Sequence, residues 1–323
     1  MNFPVFDLHC DTALMLLGED RCSLGSLRNN NLHIDLKRAG SISGYAQCFA
    51  CFTSPLMKLI GNTSVFDMFE RELASVLRET EQNADLIRLA YSTEEIAENK
   101  KKGIMSAILT IEGPAGFGYN PDMLEDLYNV GFRITTLGWN EDNPLTGSCV
   151  TGGGLTEDGR AYVREAQRLG MVVDVSHISD KAFWDIMEMT EKPIIASHSN
   201  SRTLCNVARN LTDDMYKAIC KTGGTTGINL YPGFLGENAT IDTICDHIFH
   251  FLNLAGDDKH VSLGSDFDGV SSLPEGITGI QDYPRLADRL LERNLSESTV
   301  RNIFWNNAVG VIERCSILAH EIM

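Results

Sequence analysis

The sequence predicts an α/β fold, a closed (β/α)8 barrel of the TIM type with a C-terminal helical extension. Three observations support this prediction. The chain has 323 residues, a length that suits one barrel with insertions. Eight apolar segments of strand length follow one another, and helical patterns separate them. Because we find neither an internal repeat nor a low-complexity linker, we expect residues 1–323 to form a single domain.

The predicted strands are short apolar runs rich in Val, Ile and Thr. They comprise residues 4–9, 44–52, 103–113, 132–139, 171–177, 193–198, 224–230 and 260–266. Parallel strands need crossover connections of a dozen residues or so, and the spacing between these runs provides them. Eight such units fit a closed barrel better than an open sheet.

The segments between the strands have the periodicity of amphipathic helices. Residues 64–82 carry apolar side chains at a period of about 3.6 residues. A second helix opens near Ser92, with Thr93 as the expected cap. Further helices are predicted at 158–169, 180–189, 212–221, 240–255 and 283–293. The extension is a tail helix from Ser296 to Glu313, which we expect to pack on the outside of the barrel.

Composition excludes several classes of partner. With 27 Lys and Arg against 44 Asp and Glu, the net charge is −17, which disfavours binding to nucleic acid or an anionic membrane. The best basic cluster, Lys100 to Lys102, is a short run at a predicted helix end, where cations favour the helix dipole. No apolar run reaches the length of a membrane span. The N-terminal segment lacks the pattern of a signal peptide, and an odd count of 9 cysteines favours buried free thiols. We therefore expect a cytoplasmic protein with neither nucleic-acid nor membrane partners.

Metal-ligand residue types stand at the ends of five predicted strands. In a barrel of this kind, the active site lies at the C-terminal ends of the strands. The six side chains found there are His9, Asp11, Glu112, His177, His198 and Asp266. Six buried polar groups without an ion would be costly, so the sequence predicts a metal site where they converge.

Taken singly, these residues leave alternatives open. His9 and Asp11 are two positions apart, so in a strand their side chains share a face, either as metal ligands or as a hydrogen-bonded pair that stabilises the strand. Glu112 follows a strongly apolar strand, where it is either a ligand or the partner of a Lys or Arg. His177 and His198 end successive strands, and one β-α-β step would bring both imidazoles to adjacent points on the rim.

The number of ligands predicts two metal ions. Three histidines and several carboxylates exceed what one tetrahedral zinc needs, and a glutamate can bridge two ions with its two oxygens. Carboxylate and imidazole ligands without cysteine fit Zn²⁺ best, with Mn²⁺, Co²⁺ or Fe²⁺ as alternatives.

Five motifs resemble the membrane dipeptidase (renal dipeptidase) family of zinc peptidases, which belongs to the metal-dependent amidohydrolases. They are HCD at 9–11, TIEGP at 110–114, GLTEDGRAYVREAQRLGMVVDVSH at 154–177, ASHS at 196–199 and GSDFDG at 264–269. The resemblance runs from residue 4 to 314 and implies a (β/α)8 barrel with a binuclear zinc centre. His9 and Asp11 would hold one ion and His177 and His198 the other, with Glu112 as the bridge.

The resemblance also implies roles in catalysis and substrate binding. Asp266 would transfer protons, and Arg209 would bind the C-terminal carboxylate of the substrate, for which a planar guanidinium is well suited. One position departs from the pattern, because Trp139 stands where renal members have a histidine that helps to hold the scissile carbonyl oxygen. Asn140, a metal ion or the indole N–H of Trp139 would then polarise that oxygen, and the departure affects substrate range more than hydrolysis.

The resemblance therefore implies a zinc dipeptidase that cleaves dipeptides, L–D pairs included, with a hydroxide held between two metal ions. Two alternatives remain open. One is an N-acyl-D-amino-acid deacylase on the same metal site, and the other is a metal-binding barrel without catalytic activity. The sequence is also compatible with a homodimer.

Overall fold

Nine parallel strands form the sheet of the computed structural model, which describes residues 3–18, 25–57 and 63–320. They are β1 (Val5–Cys10), β2 (Tyr45–Phe52), β3 (Ile87–Leu89), β4 (Met105–Glu112), β5 (Phe132–Thr136), β6 (Val172–Asp174), β7 (Ile194–Ala196), β8 (Thr225–Ile228) and β9 (Val261–Leu263). Eight of them close into a barrel, because β1 pairs with β9 and β2 pairs with β4. The predicted (β/α)8 fold is confirmed.

Strand β3 was not among the predicted strands. It has three residues and pairs with Met105–Ala107 of β4, ahead of the residues of β4 that pair with β5. Only Ile87 of this strand is buried. One apolar residue gives no alternating or continuous pattern, so the sequence carries little signal for this element.

Helices occupy the connections, as predicted, and those predicted ahead of the tail begin and end within two residues of the predicted bounds. The tail helix instead continues to His320, beyond the predicted Glu313. The α-helices are α1 (Thr12–Met15), α2 (Leu36–Ala39), α3 (Val65–Gln82), α4 (Thr93–Lys101), α5 (Leu124–Val130), α6 (Glu157–Leu169), α7 (Asp180–Met187), α8 (Asp213–Lys221), α9 (Pro232–Leu235), α10 (Ile241–Ala255), α11 (Tyr283–Glu292), α12 (Glu297–Arg301) and α13 (Asn307–His320). Short 3₁₀ turns lie at Pro114–Phe117, Pro121–Met123 and Ile280–Asp282.

The cap of α4 is Ser92, and the predicted cap Thr93 is wrong. Ser92 has extended backbone, and its hydroxyl accepts a hydrogen bond from the backbone N–H of Glu95 at 3.3 Å. The geometry requires the capping residue to stay outside the helix, and Thr93 already lies within it.

The tail helix closes the bottom of the barrel, which corrects the prediction that it packs outside. A π-helical turn at Asn302–Asn306 joins α12 to α13. Trp305, Val311 and Ile312 share one apolar cluster with residues of strands around the barrel, among them Phe6, Ile108, Ile134, Val172 and Ile195. A helix that contacts so many strands must lie across the barrel opening, opposite the C-terminal ends of the strands.

The described cysteines are all free. Cys48 and Cys51 of β2 have the spacing of a C-x-x-C motif, yet residues three apart in a strand point to opposite faces. Their side chains accordingly belong to two different apolar clusters. None of the described helices is long and apolar enough to cross a membrane.

Candidate metal centre and substrate pocket

The six predicted ligand and proton-transfer side chains meet at the C-terminal ends of the strands. His9 lies in β1, Glu112 is the last residue of β4, and Asp11 directly follows β1. The other three lie in loops, since β6, β7 and β9 end two or three residues earlier than predicted, at Asp174, Ala196 and Leu263. The prediction that strands extend to His177, His198 and Asp266 is therefore wrong in detail.

Two of the loop residues have left-handed backbone. His177 has φ of +71° and Asp266 has φ of +61°. A non-glycine residue in this region costs on the order of 1–2 kcal/mol, and such residues cluster at functional sites. Close packing also explains the glycine that ends the GSDFDG motif. A Cβ on Gly269 would lie 2.0 Å from Oδ2 of Asp11 and 2.6 Å from Oδ1 of Asp266.

Glu112 lies at the centre of the cluster, and its two oxygens face different partners. Its Oε2 lies 3.3 Å from Nε2 of His9, which is also 3.4 Å from Oδ2 of Asp11 and 3.8 Å from Oδ1 of Asp266. Its Oε1 lies 3.1 Å from Nε2 of His177 and 4.0 Å from Nε2 of His198. A carboxylate with ligands on both sides has the arrangement of a bridge between two cations.

The residues fit a divalent cation. Nε2 of His9 is buried and has no hydrogen-bond partner among the described residues, which costs roughly 1–3 kcal/mol unless an ion supplies the missing contact. Two groups bring their ligand atoms within 4.8 Å of one another: His9 with Glu112 and His198, and His9 with Asp11 and Asp266. The rings of His9 and His198 stack with centroids 3.8 Å apart, so the two histidines that the resemblance assigns to different ions lie side by side.

Electrostatics indicate that the cluster lacks positive charge. Burial and the negative charge of Glu112 raise the pKa of Asp11 to about 8. Burial lowers the pKa of His9, but the carboxylates of Glu112 and Asp11 outweigh burial and hold it well above its usual value. Burial and the nearby positive charge of His9 hold the pKa of His198 well below its usual value. Divalent cations would balance these carboxylates and keep the imidazoles neutral.

Asn140, predicted to contact substrate, also contacts a histidine. Its Oδ1 lies 3.0 Å from Nδ1 of His177. As an acceptor, Asn140 would hold the ring hydrogen on Nδ1 and leave the lone pair on Nε2, which lies 2.8 Å from Nε2 of His198 and 3.1 Å from Oε1 of Glu112. The sequence did not predict this contact, because Asn140 and His177 belong to different loops.

Arg209 is a buried guanidinium with unused donors. It is 7% exposed, and its Nη1 donates to Oγ of Ser199 at 2.7 Å. Its Nε and Nη2 are buried and have no hydrogen-bond partner among the described residues. Burial lowers the pKa of Arg209. Unpaired N–H groups on a buried cation are the arrangement that an anionic group of a ligand would satisfy.

A cavity of about 410 Å³ opens over the cluster. Its polar lining includes Asp11, Glu112, His177 and Asp266, and its apolar lining is Leu14, Met15, Phe52, Trp139, Tyr231, Phe234 and Val270. The ring of Trp139 packs edge-on against Phe52, with centroids 5.2 Å apart. A larger cavity of about 600 Å³ lies near Lys100 and Trp305, at the opposite end, and none of the six side chains lines it.

Asn229 is a functional candidate that sequence reasoning missed. Its Nδ2 donates to Oδ2 of Asp266 at 2.9 Å, and its Oδ1 accepts from the backbone N–H of Tyr231. Asn229 directly follows β8 and is fully buried. The only signal in the sequence is its position after an apolar strand, which it shares with many loop asparagines.

The chain is similar in sequence to known proteins of one family. The chain is 36% identical to an uncharacterized dipeptidase of Schizosaccharomyces pombe over 68% of this chain and 55% of that protein. It is 34% identical to a second uncharacterized dipeptidase of the same yeast, over 74% of this chain and 60% of that protein. The chain thus spans somewhat over half the length of these relatives.

A solved structure matches over the whole fold. It is a metallo peptidase from Rhodobacter sphaeroides, bound to a phosphinate mimic of the dipeptide L-Ala-D-Ala. The TM-score is 0.88 at 26% identity, over 98% of this chain and 100% of that one. The family model described as membrane dipeptidase (peptidase family M19) matches residues 1–322. The resemblance found in the motifs is therefore confirmed, and the chain belongs to the membrane dipeptidase family.

Proposed function

We propose that this protein is a zinc dipeptidase that binds two metal ions per chain and hydrolyses dipeptides, including those with a D-residue at the C-terminal position. The observation that carries the proposal is the position of Glu112, whose Oε2 faces Nε2 of His9 and whose Oε1 faces Nε2 of His177. The family supports dipeptide cleavage with a metal, and the relative bound to an L-Ala-D-Ala mimic supports the L–D specificity.

In this proposal, His9 and Asp11 would hold one ion, His177 and His198 would hold the other, and Glu112 would offer an oxygen to each. Divalent ions in such a site polarise the scissile carbonyl and supply a nucleophile from water at neutral pH. The ligand set contains imidazole and carboxylate without a described cysteine, which is compatible with zinc.

Arg209 anchors the substrate. The free N–H groups at its Nε and Nη2 would bind the C-terminal carboxylate of a dipeptide, and a C-terminal amide would lose this charged contact. Trp139 and Phe52 form an apolar wall of the same cavity, against which a substrate side chain would pack.

Asp266 moves the proton. Its Oδ1 faces His9 at 3.8 Å, and its Oδ2 is held by Nδ2 of Asn229. A carboxylate in this position can accept a proton from the attacking water and deliver it to the departing amine. Asn229 acts as a positioning residue, because its hydrogen bond fixes the orientation of the carboxylate.

Hydrolysis of L-Ala-D-Ala, L-Ala-L-Ala, the C-terminal amide of L-Ala-D-Ala and N-acetyl-D-Ala tests this proposal. We expect the zinc-loaded protein to cleave the free dipeptides and to cleave the amide poorly. Cleavage of N-acetyl-D-Ala at a rate above that of the dipeptides would instead support the deacylase alternative. An absence of hydrolysis of every compound by a protein with two bound zinc ions would support the non-catalytic barrel. Cytoplasmic location and a homodimer stay predictions.

A further inference from the structure

His198 touches a buried serine with the ring nitrogen that faces away from the cluster. Its Nδ1 lies 2.6 Å from Oγ of Ser197, and that hydroxyl also contacts Oδ2 of Asp174. All three side chains are at most 1% exposed. They form a hydrogen-bonded chain from a carboxylate at the end of β6 to the ring of His198, whose Nε2 lies 2.8 Å from Nε2 of His177.

The donors in this chain can be assigned by counting protons. Oδ1 of Asp174 accepts the backbone N–H groups of Ser176 and Ser197, each at 2.9 Å. Its Oδ2 accepts the hydrogen bond that Ser197 donates with its single hydroxyl proton. Oγ of Ser197 is then an acceptor toward His198, and Nδ1 of His198 must carry the hydrogen.

A neutral imidazole with hydrogen on Nδ1 has its lone pair on Nε2, the atom that faces the cluster. A competing acceptor for the proton of Ser197 is Oγ of Ser176, at 3.3 Å. The hydroxyl oxygen of Ser176 is farther from Oγ of Ser197 than the carboxylate oxygen of Asp174 is. Ser197 therefore donates its hydrogen bond to Asp174.

We propose that Asp174 and Ser197 are positioning residues that hold His198 in the Nδ1–H tautomer, so that Nε2 is ready to bind a metal ion. The inference rests on the proposed metal site and extends it to two residues that touch neither metal nor substrate. Partners of this kind raise the metal affinity of the histidine that they orient.

The barrel contains a second aspartate–serine pair that lacks the histidine. Oδ1 of Asp7 accepts the backbone N–H groups of Ser265 at 2.9 Å and His9 at 3.1 Å, and its Oδ2 accepts from Oγ of Ser265. The serine again directly precedes a site residue, here Asp266. Its hydroxyl, however, accepts from the backbone N–H of Phe267 and not from an imidazole.

The two serines form a matched pair of test positions. Ser197→Ala and Ser265→Ala each remove a buried hydroxyl from an aspartate that keeps its backbone hydrogen bonds. Zn²⁺ alone is titrated into the metal-free protein against a chromogenic chelator, and circular dichroism establishes that each variant is folded. We expect Ser197→Ala to lower affinity for zinc by roughly 10–100-fold, and Ser265→Ala to bind zinc much as the unsubstituted chain does. Equal zinc affinities for the two variants would overturn the inference.

Asp174→Asn tests which group donates and which accepts in the hydrogen bonds from Asp174 through Ser197 to His198. The two backbone N–H groups would keep the amide oxygen at the place of Oδ1, so the amide nitrogen would face Ser197 and donate to it. Ser197 would then donate to Nδ1 of His198 and move the ring hydrogen to Nε2, the wrong tautomer for a ligand. Long-range ¹H–¹⁵N NMR spectra of the metal-free protein distinguish the tautomers. We expect Nδ1–H in the unsubstituted chain and Nε2–H in Asp174→Asn, with weakened zinc binding.

An Nε2–H tautomer for His198 in the unsubstituted chain would contradict the assignment of donors. The unsubstituted chain also separates this inference from the proposed function. If it binds zinc and cleaves dipeptides while Ser197→Ala keeps full zinc affinity, the inference alone fails. If it binds no zinc, the proposed function fails first.

Discussion

Arg209 shows how burial turns a single residue into a binding site. Two of its N–H-bearing nitrogens are buried without partners among the described residues, so the folded protein keeps a guanidinium ready for an anion. Sequence analysis could propose this role from the resemblance alone. It could not foresee the contact with Ser199, which fixes one end of the group and leaves the rest free.

Arg209→Met should therefore raise KM for free dipeptides. A hydrogen bond to a charged group contributes roughly 1.5–3 kcal/mol, so kcat/KM should fall by about tenfold to more than a hundredfold. Steady-state kinetics with an acid and its C-terminal amide provide the measurement. If the unsubstituted enzyme cleaved both equally well, Arg209 would not bind the carboxylate.

Asp266→Asn should separate proton transfer from folding. Asparagine has nearly the same shape but cannot accept a proton, so kcat should fall on the order of 10²–10⁴-fold while the fold and most of the metal are retained. Kinetics and metal analysis of the purified variant check both parts.

Asp268 provides the control for Asp266. Its carboxylate accepts from Oγ1 of Thr12 at 2.6 Å and from the backbone N–H of His33 at 2.7 Å, so both oxygens are engaged in holding loops together. Asp268→Asn should lower stability more than it lowers kcat. If Asp266→Asn kept a near-normal kcat with both metals bound, Asp266 would not be the proton-transfer residue.

Trp139→His should change substrate preference with little effect on metal content. The indole fills one side of the cavity beside Phe52, and its N–H can donate but cannot accept. A histidine is smaller and would restore the residue of the renal members. Relative kcat/KM values over a panel of dipeptides with small and large side chains give the measurement. If the relative kcat/KM values were unchanged, Trp139 would contribute to packing but not to substrate preference.

At the scale of elements, the alternation of strands and helices could be predicted from the sequence, but the ends of several strands could not. Long apolar runs such as 44–52 coincide with a strand, whereas β6 and β9 end three residues before His177 and Asp266. The loop residues there adopt left-handed backbone, and their main chains bond to distant parts of the sequence, His177 to Cys149 and Asp266 to His9. Such contacts leave no periodic pattern, so sequence analysis placed the right residues at the right end of the barrel without their local geometry.

Helix α4 offers a test of a local assignment that the sequence missed by one residue. Ser92→Ala removes the hydroxyl that caps the helix and should lower the free energy of unfolding by about 1 kcal/mol. Thr93→Ala is the control and should be nearly neutral, because Thr93 lies inside the first turn. Urea unfolding of both variants measures the difference. Since α4 lines the cavity opposite the site, neither variant should alter kcat.

At the scale of the whole molecule, the candidate ligands tie distant parts of the chain together. His9 and Glu112 belong to β1 and β4, while His177, His198 and Asp266 follow β6, β7 and β9. Metal ions bound among them would link five strand ends around the barrel opening. At the other opening, α13 packs an apolar face against the strands, and Nδ2 of Asn307 donates a hydrogen bond to the backbone oxygen of Val261 in β9. We therefore expect metal ions to stabilise the opening that carries the candidate ligands and to have little effect on the opening that α13 closes.

Metal removal should consequently affect stability as well as activity. Zinc-replete protein should contain about two ions per chain by elemental analysis, and chelation should abolish hydrolysis. A ligand present at 100 times its Kd stabilises the folded state by about 2.7 kcal/mol, so the metal-free protein should have a clearly lower Tm. Adding zinc back should restore activity and Tm together, because both depend on the same buried carboxylates. A protein that saturates at one ion per chain with full activity would contradict the two-metal proposal. A Tm unchanged by chelation would show that the ions do not join the strand ends.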